Sequence, residues 1–265
     1  MAGALWVGTS WKMTKTIAEA RAFAGVLAAA AVPDGVQPFV LPAHTSLAAV
    51  RDCMPAASRV LLGAQNAHWA PEGAGTGEVS MRMAADAGAR LVEMGHSERR
   101  ELFGETDESV SRKARAAVDA GLIPLICVGE PSTVRECGGA EEFVTAQLTA
   151  ALSRLRADEV AGAIVAYEPV WAIGEAGRAA TRDEVSPVLA ALCLEAARVG
   201  SGQGCRALLY GGSVTTANAE DLLDDPHTDG LFIGRAAWDV QGFLTFLDIA
   251  GRHAATAPGS SSARA

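Results

Sequence analysis

The chain has 265 residues, 49% of them apolar, which is enough to bury a full core as one domain. Its net charge is −9, with no basic block and no interleaving of basic and aromatic residues, so nothing supports binding to nucleic acid or to an acidic membrane surface. No stretch is long and apolar enough to span a bilayer, and any anionic ligand has to be held by local positive charge.

The predicted elements alternate from the start. Leu5-Trp6-Val7-Gly8 reads as a strand that delivers Thr9-Ser10-Trp11-Lys12 at its C-terminal end. Thr14 or Thr16 then caps a helix to about Ala31. Phe39-Val40-Leu41 is the second strand, stopped by Pro42, and a short helix covers Thr45 to Arg51. The third strand, Val60 to Gln65, is followed by the glycine-rich loop Gly73 to Glu78 and a helix from Ser80 to Ala87. Strand four, Arg90 to Met94, runs into the helical turn Gly95-His96-Ser97-Glu98-Arg99-Arg100. A helix from Asp107 to Ala120 leads to strand five, Leu122 to Val128, and Glu141 to Leu155 forms the next helix. The apolar run Ala163 to Tyr167 is strand six, and it ends at Glu168 because Pro169 cannot donate a backbone hydrogen bond. A Trp-anchored loop with Gly174 and Gly177 follows, and Thr181 caps a helix to Val199. Ala207 to Tyr210 is strand seven, then the Gly211-Gly212-Ser213 turn and a helix from about Ala217 to Leu223. Gly230 to Ile233 is strand eight, with a last helix to about Ala250. The Ala/Ser/Gly-rich end from His253 to Ala265 reads as a flexible tail after a domain spanning residues 1–252.

Eight strand and helix units in about 250 residues predict an α/β fold, a single (β/α)8 barrel. A doubly wound open sheet fits less well, because no Gly-x-Gly-x-x-Gly turn follows the first strand. Lys12, His96, Glu168, the Gly211-Gly212 turn and Gly234 all fall just after strands, on the face where barrel enzymes keep their chemistry.

Each of these residues has a chemistry. Glu168 at a strand end beneath a loop able to close suggests a base for proton transfer, although a lone Glu-Pro is also a common edge carboxylate. His96 opens a helical turn, where the N-terminal dipole favours a neutral ring able to polarise a carbonyl. Lys12, one of three lysines, is placed to pair with a phosphate or, less simply, to form a Schiff base. Ser213 and Gly234 can offer backbone N–H groups to an anion, and Gly174 can add another on closure. Glu98 reads as a supporting partner of His96 or as a helix N-terminal charge.

The remaining residues with reactive side chains do not assemble into a site. His44, His68, His227 and His253 share no ligand spacing, so no metal is expected. Five cysteines in no C-x-x-C pattern favour reduced thiols and the cytoplasm, and Cys127 at the end of strand five reads as core. The first residues lack a charged n-region, so no signal peptide is expected.

Ser10-Trp11-Lys12, Gly95-His96-Ser97-Glu98-Arg99-Arg100, Ala166-Tyr167-Glu168-Pro169-Val170-Trp171-Ala172-Ile173-Gly174 and Tyr210-Gly211-Gly212-Ser213-Val214, in that order, together resemble the triosephosphate isomerase family. The resemblance implies a cofactor-free sugar-phosphate isomerase. By inheritance from the family, Lys12 is the electrostatic partner of the substrate, His96 the neutral electrophile and Glu168 the base. Glu98, Gly174, Ser213 and Gly234 carry over as supporting and phosphate-contacting positions. The loop Gly73 to Glu78 resembles one that docks into a second subunit, which implies a homodimer.

Departures from the glycolytic pattern point to a branch of that family. Ser10 stands where the glycolytic enzyme has Asn, Glu175 enters the loop after strand six, and Arg235 and Trp238 change the turn after strand eight. Arg235 adds charge to the phosphate site or lines its rim; the sequence leaves both open. These features look like the branch that isomerises tetrulose phosphates, which implies conversion of L-erythrulose 1-phosphate to D-erythrulose 4-phosphate. The smaller Ser10 makes room for the additional CH₂OH group. The alternatives are the glycolytic triose phosphate reaction, a barrel that binds a sugar phosphate without turning it over, and a lysine-dependent aldolase.

Overall fold

The computed structural model describes residues 3–174 and 177–256. Its strands are β1 (Leu5–Ser10), β2 (Val36–Leu41), β3 (Leu61–Ala64), β4 (Leu91–Met94), β5 (Ile123–Val128), β6 (Ile164–Tyr167), β7 (Ala207–Tyr210) and β8 (Gly230–Ile233). All pairings are parallel and sequential, and β8 returns to pair with β1 from Trp6 opposite Gly230 to Thr9 opposite Ile233. The predicted (β/α)8 barrel is therefore the fold. No helix of the described residues is long and apolar enough to cross a membrane.

The helices are α1 (Ile17–Ala29), α2 (His44–Cys53), α3 (Met81–Asp86), α4 (Ser97–Phe103), α5 (Asp107–Asp119), α6 (Ser132–Glu136), α7 (Ala140–Leu152), α8 (Ala157–Val160), α9 (Arg182–Val199), α10 (Ala219–Leu223) and α11 (Val240–Thr256). Their starts follow local chemistry. Thr16, not Thr14, caps α1 in a reciprocal box with Glu19, while the Thr14 hydroxyl donates to the Trp11 carbonyl. Ser80 caps α3, and Thr181 with Glu184 caps α9. The short helices α6 and α8 carry too little apolar pattern to be read from sequence. α11 continues to Thr256, past the expected start of the tail at His253.

β2 is longer than expected and contains Pro38, as β5 contains Pro124. Pro38 pairs with Val7 of β1, whereas pairing with β3 begins only at Phe39. Pro124 likewise pairs with β4, and β6 joins only at Leu125. Each proline thus sits where its strand is still bonded on one side, which is where the missing N–H is tolerated.

The core has two shells. Trp6, Phe39, Leu91, Leu125, Ile164, Leu209 and Phe232 fill the barrel interior, with Phe39 stacked on Phe232 at 5.5 Å between centroids. Gly8 makes that layer possible, since a Cβ there would lie 1.9 Å from the Phe39 ring. The larger shell lies between barrel and helices and includes Phe23, Leu27, Val110, Leu148, Leu189, Phe243 and Phe246. The packed interior closes the barrel below and leaves the C-terminal strand ends to form a pocket.

Candidate active site

A cavity of about 560 Å³ opens at those strand ends. Ser10, Lys12, His96, Glu98, Glu168, Gly174, Ser213, Gly234 and Arg235, the nine residues expected at the site, all line it. Glu175 lies outside the described residues.

The residues after β6 and β7 are each held by the strand that precedes theirs. The Glu168 N–H donates to the Val128 carbonyl at 2.8 Å and the Gly211 N–H to the Tyr167 carbonyl at 2.9 Å, so the ends of β5 and β6 fix the carboxylate and the wall facing it. Lys12 has φ +52°, a left-handed conformation uncommon for a side-chain-bearing residue, and its ammonium pairs with Glu98 at 2.6 Å. The segment 95–107 is braced from below. Arg100 donates to the Gly95 carbonyl and pairs with Asp107, while the Gly95 N–H donates to Glu105, itself bonded to the buried Lys113.

His96 caps α4 with its side chain, its Nδ1 accepting the Glu98 N–H at 3.1 Å. A ring that accepts at Nδ1 carries its proton on Nε2 if it is neutral. Burial and the adjacent Lys12 charge both lower its pKa, so it is neutral. Nε2 lies 3.5 Å from Glu168 Oε2, too long for a strong hydrogen bond and, with a neutral ring, not an ion pair. Glu168 is buried and its Oε2 has no hydrogen-bond partner among the described residues. An N–H donor and an uncommitted carboxylate oxygen thus face one cavity, the pairing needed to move a proton next to a carbonyl.

The family model for triosephosphate isomerase matches residues 5–250. The chain belongs to the triosephosphate isomerase family, whose members are sugar-phosphate isomerases. Its relatives include proteins named L-erythrulose-1-phosphate isomerase. The one from Mycolicibacterium smegmatis is 51% identical, with 95% of each chain covered. Those from Rhizobium rhizogenes and Brucella abortus are each 49% identical, over 91% of this chain and 93% and 94% of theirs.

This isomerase fastens the loop after β6 by its aromatic residue. Trp171 donates from Nε1 to Glu130 at 2.6 Å, and the Tyr167 hydroxyl donates to the same oxygen at 3.2 Å. Arg135 and Arg178 lie 4.0 and 4.6 Å from the Trp171 ring centroid, and both guanidinium groups pair with Glu184. The Ser213 hydroxyl donates to the Ala172 carbonyl at 2.6 Å, tying this loop to the turn after β7. Arg235 is exposed in the single turn Arg235–Ala237 at the rim. Trp238 donates from Nε1 to the Ser10 carbonyl at 2.9 Å and joins the ends of β8 and β1.

The residue that sequence reading missed is Glu93, buried in β4 beneath the pocket of the isomerase. Ser10 donates to its Oε2 at 2.9 Å, and the Cys127 thiol lies 3.9 Å from Oε1. The available signal was one carboxylate in the otherwise apolar strand Leu91-Val92-Glu93-Met94. Burial raises its pKa to about 7, with the Ser10 hydrogen bond opposing the shift. Burial, then the charge of Glu93, pushes Glu168 up to about 8.

A carboxyl group that holds its proton more tightly when folded costs stability as pH rises toward its folded pKa. Glu93→Gln, which keeps the shape and cannot ionise, is therefore expected to raise the melting temperature by about 5 °C at pH 8.5 and by under about 1 °C at pH 5. Scanning fluorimetry of both proteins across that range checks it; equal differences at both pH values would mean that the Glu93 charge does not strain the fold.

Proposed function

We propose that this isomerase interconverts L-erythrulose 1-phosphate and D-erythrulose 4-phosphate without a cofactor, through an enediolate. The chemistry rests on one observation, the neutral His96 facing the uncommitted oxygen of Glu168. The choice of substrate is supported by the names of relatives about half identical along nearly the whole chain and by Ser10 at the pocket wall.

In this reading Glu168 removes the proton from the carbon beside the ketone. His96 donates from Nε2 to the developing oxyanion and moves a proton between the two enediolate oxygens. Glu168 then returns its proton to the former carbonyl carbon, so the ketone has moved by one position and no other atom is gained or lost. Lys12 stabilises the negative charge and draws the anion into an acidic protein. Ser213, Gly234 and, on closure, Gly174 hold the phosphate by backbone N–H groups, with Arg235 adding charge at the rim. Glu98 positions Lys12 and His96. The loop after β6 acts as a lid that excludes water from the intermediate.

We assign the protein to the cytoplasm, supported by the free thiols of Cys53, Cys127, Cys137 and Cys193. We further assign it a homodimer through the loop Gly73 to Glu78. That loop is exposed, and Met13, beside Lys12, is 99% exposed, an apolar side chain that a second copy would cover. Sedimentation at micromolar concentration is expected to give twice the 27.2 kDa chain mass; a monomer would remove the assignment.

The deciding assay compares kcat/KM for L-erythrulose 1-phosphate and for dihydroxyacetone phosphate. A preference of about tenfold or more for the tetrulose is expected, the scale of one added polar contact. The reverse preference would make the enzyme a triosephosphate isomerase, and turnover of neither would leave a binding protein.

A further inference from the structure

Ser10 lines the pocket, whereas Glu93 does not reach it. Glu93 nonetheless controls what Ser10 can offer. Its Oε2 accepts from the Ser10 hydroxyl at 2.9 Å, and its Oε1 faces the Cys127 thiol at 3.9 Å. Burial and the carboxylates of Glu168 and Glu93 keep that thiol protonated, so it serves as a donor. Above a pH of about 7 the Glu93 carboxylate is ionised and has only acceptors, so the single Ser10 proton is then held by Glu93 and points away from the cavity. What remains toward the cavity is the acceptor side of the Ser10 oxygen. Trp238 fixes the main chain at this point through the Ser10 carbonyl, so the orientation is set from both ends of the residue.

Resting on the tetrulose phosphate reading above, we propose that Glu93 is a positioning residue for specificity: by holding the Ser10 proton it makes Ser10 a hydrogen-bond acceptor for the hydroxyl of the substrate's additional CH₂OH group. A triose phosphate has no such hydroxyl. The pair therefore contributes to one substrate and not to the other, and it does so with a residue small enough to leave room for the group.

Glu93 has a second reach. It shares the end of the barrel with Lys12 after β1, His96, Glu98 and Glu105 after β4, Cys127 on β5 and Glu168 after β6, and its negative charge raises the proton affinity of Glu168. The same carboxylate that orients Ser10 thus strengthens the base.

The test measures kcat/KM across pH for L-erythrulose 1-phosphate and dihydroxyacetone phosphate in the wild type, Ser10→Ala, Glu93→Leu, Glu93→Gln and the Ser10→Ala/Glu93→Leu double variant. The ratio of the two values is expected to fall about tenfold in Ser10→Ala and in Glu93→Leu, the loss of one hydrogen bond. It should fall no further in the double variant, because the two residues act as one unit. Glu93→Gln should keep the ratio, since its amide carbonyl can accept from Ser10. The same variant should move the acid limb of the profile to lower pH for either substrate. Where Glu93→Leu does not fold, Ser10→Ala and Glu93→Gln carry the comparison.

A wild-type preference for the tetrulose with a ratio unchanged within about twofold in Ser10→Ala and Glu93→Leu would overturn the role of the pair and leave the substrate assignment standing. An acid limb unmoved in Glu93→Gln would also overturn it. A wild type that does not turn over L-erythrulose 1-phosphate would overturn the substrate assignment and the pair together.

Discussion

Replacing Glu168 with glutamine is expected to lower kcat by about a thousandfold or more while KM stays within about threefold. Glutamine keeps the volume and the position at the end of β6, and its amide can still sit opposite Gly211. It lacks a basic oxygen, so the proton next to the ketone has no acceptor at Oε2, the oxygen that is uncommitted in the structure. Binding is affected little, because in the proposed mechanism the phosphate is held by the turns after β7 and β8. Stability separates this loss from misfolding. The folded protein raises the Glu168 pKa to about 8, so ionising the carboxylate works against folding as pH climbs from its ordinary value toward 8. The glutamine variant does not ionise and should melt no lower than wild type at pH 8. Steady-state kinetics and melting curves at that pH read both quantities. A kcat within tenfold of wild type in a folded protein would place the base elsewhere. Glu168→Asp gives the graded version of the same result, since it draws the carboxylate back by about one bond length and leaves it ionisable.

These predictions concern residues whose position the sequence made legible, because each belongs to a local signal. Glu168 precedes a proline at the end of an apolar run, His96 opens a helical turn, and Gly211 and Gly234 follow short apolar strands. In a barrel, the end of every strand reaches the same face, so the segments that follow the predicted strands already contain the nine expected residues, all of which line the cavity. Glu93 escaped because its role depends on a contact across 83 positions of sequence, made only when the barrel brings β4 beneath the end of β1. Alternation along a four-residue strand gave its face at most, never its partner. Trp238 was legible as a change in the turn after strand eight, but its partner escaped for the same reason, since its bond to the Ser10 carbonyl spans 228 positions and exists only because β8 closes onto β1. Pro38 hid in another way. It falls outside the strand read as Phe39-Val40-Leu41, and the staggered pairing shows why the missing N–H group costs little there, as at Pro124 within β5. The contacts of Glu130 with Tyr167 and Trp171 add a third case, a buried carboxylate whose meaning comes from the loop that folds onto it.

Gly211→Ala is expected to lower kcat by about a hundredfold although the residue carries no functional group. A Cβ at this position would stand 2.7 Å from Glu168 Cγ and 2.9 Å from Oε1, well inside contact distance. Gly211 does not have the left-handed φ that favours glycine, so alanine brings no backbone strain, and the conflict is with the base alone. The Glu168 side chain can relieve it only by turning away from β7, because its own main chain is held to Val128 and the Cβ of a residue at position 129 would already strike the Glu168 carbonyl at 1.9 Å. A shift approaching 1 Å takes the oxygen out of line with the carbon it serves, a displacement that costs on the order of a hundredfold in rate. The melting temperature should change by only a few degrees, since one side chain moves and no cavity opens. Pre-steady-state and steady-state rates with L-erythrulose 1-phosphate give the comparison. A kcat within threefold of wild type would mean that the carboxylate accommodates the methyl without leaving its place, and that the bare wall beside it is not what aligns the base.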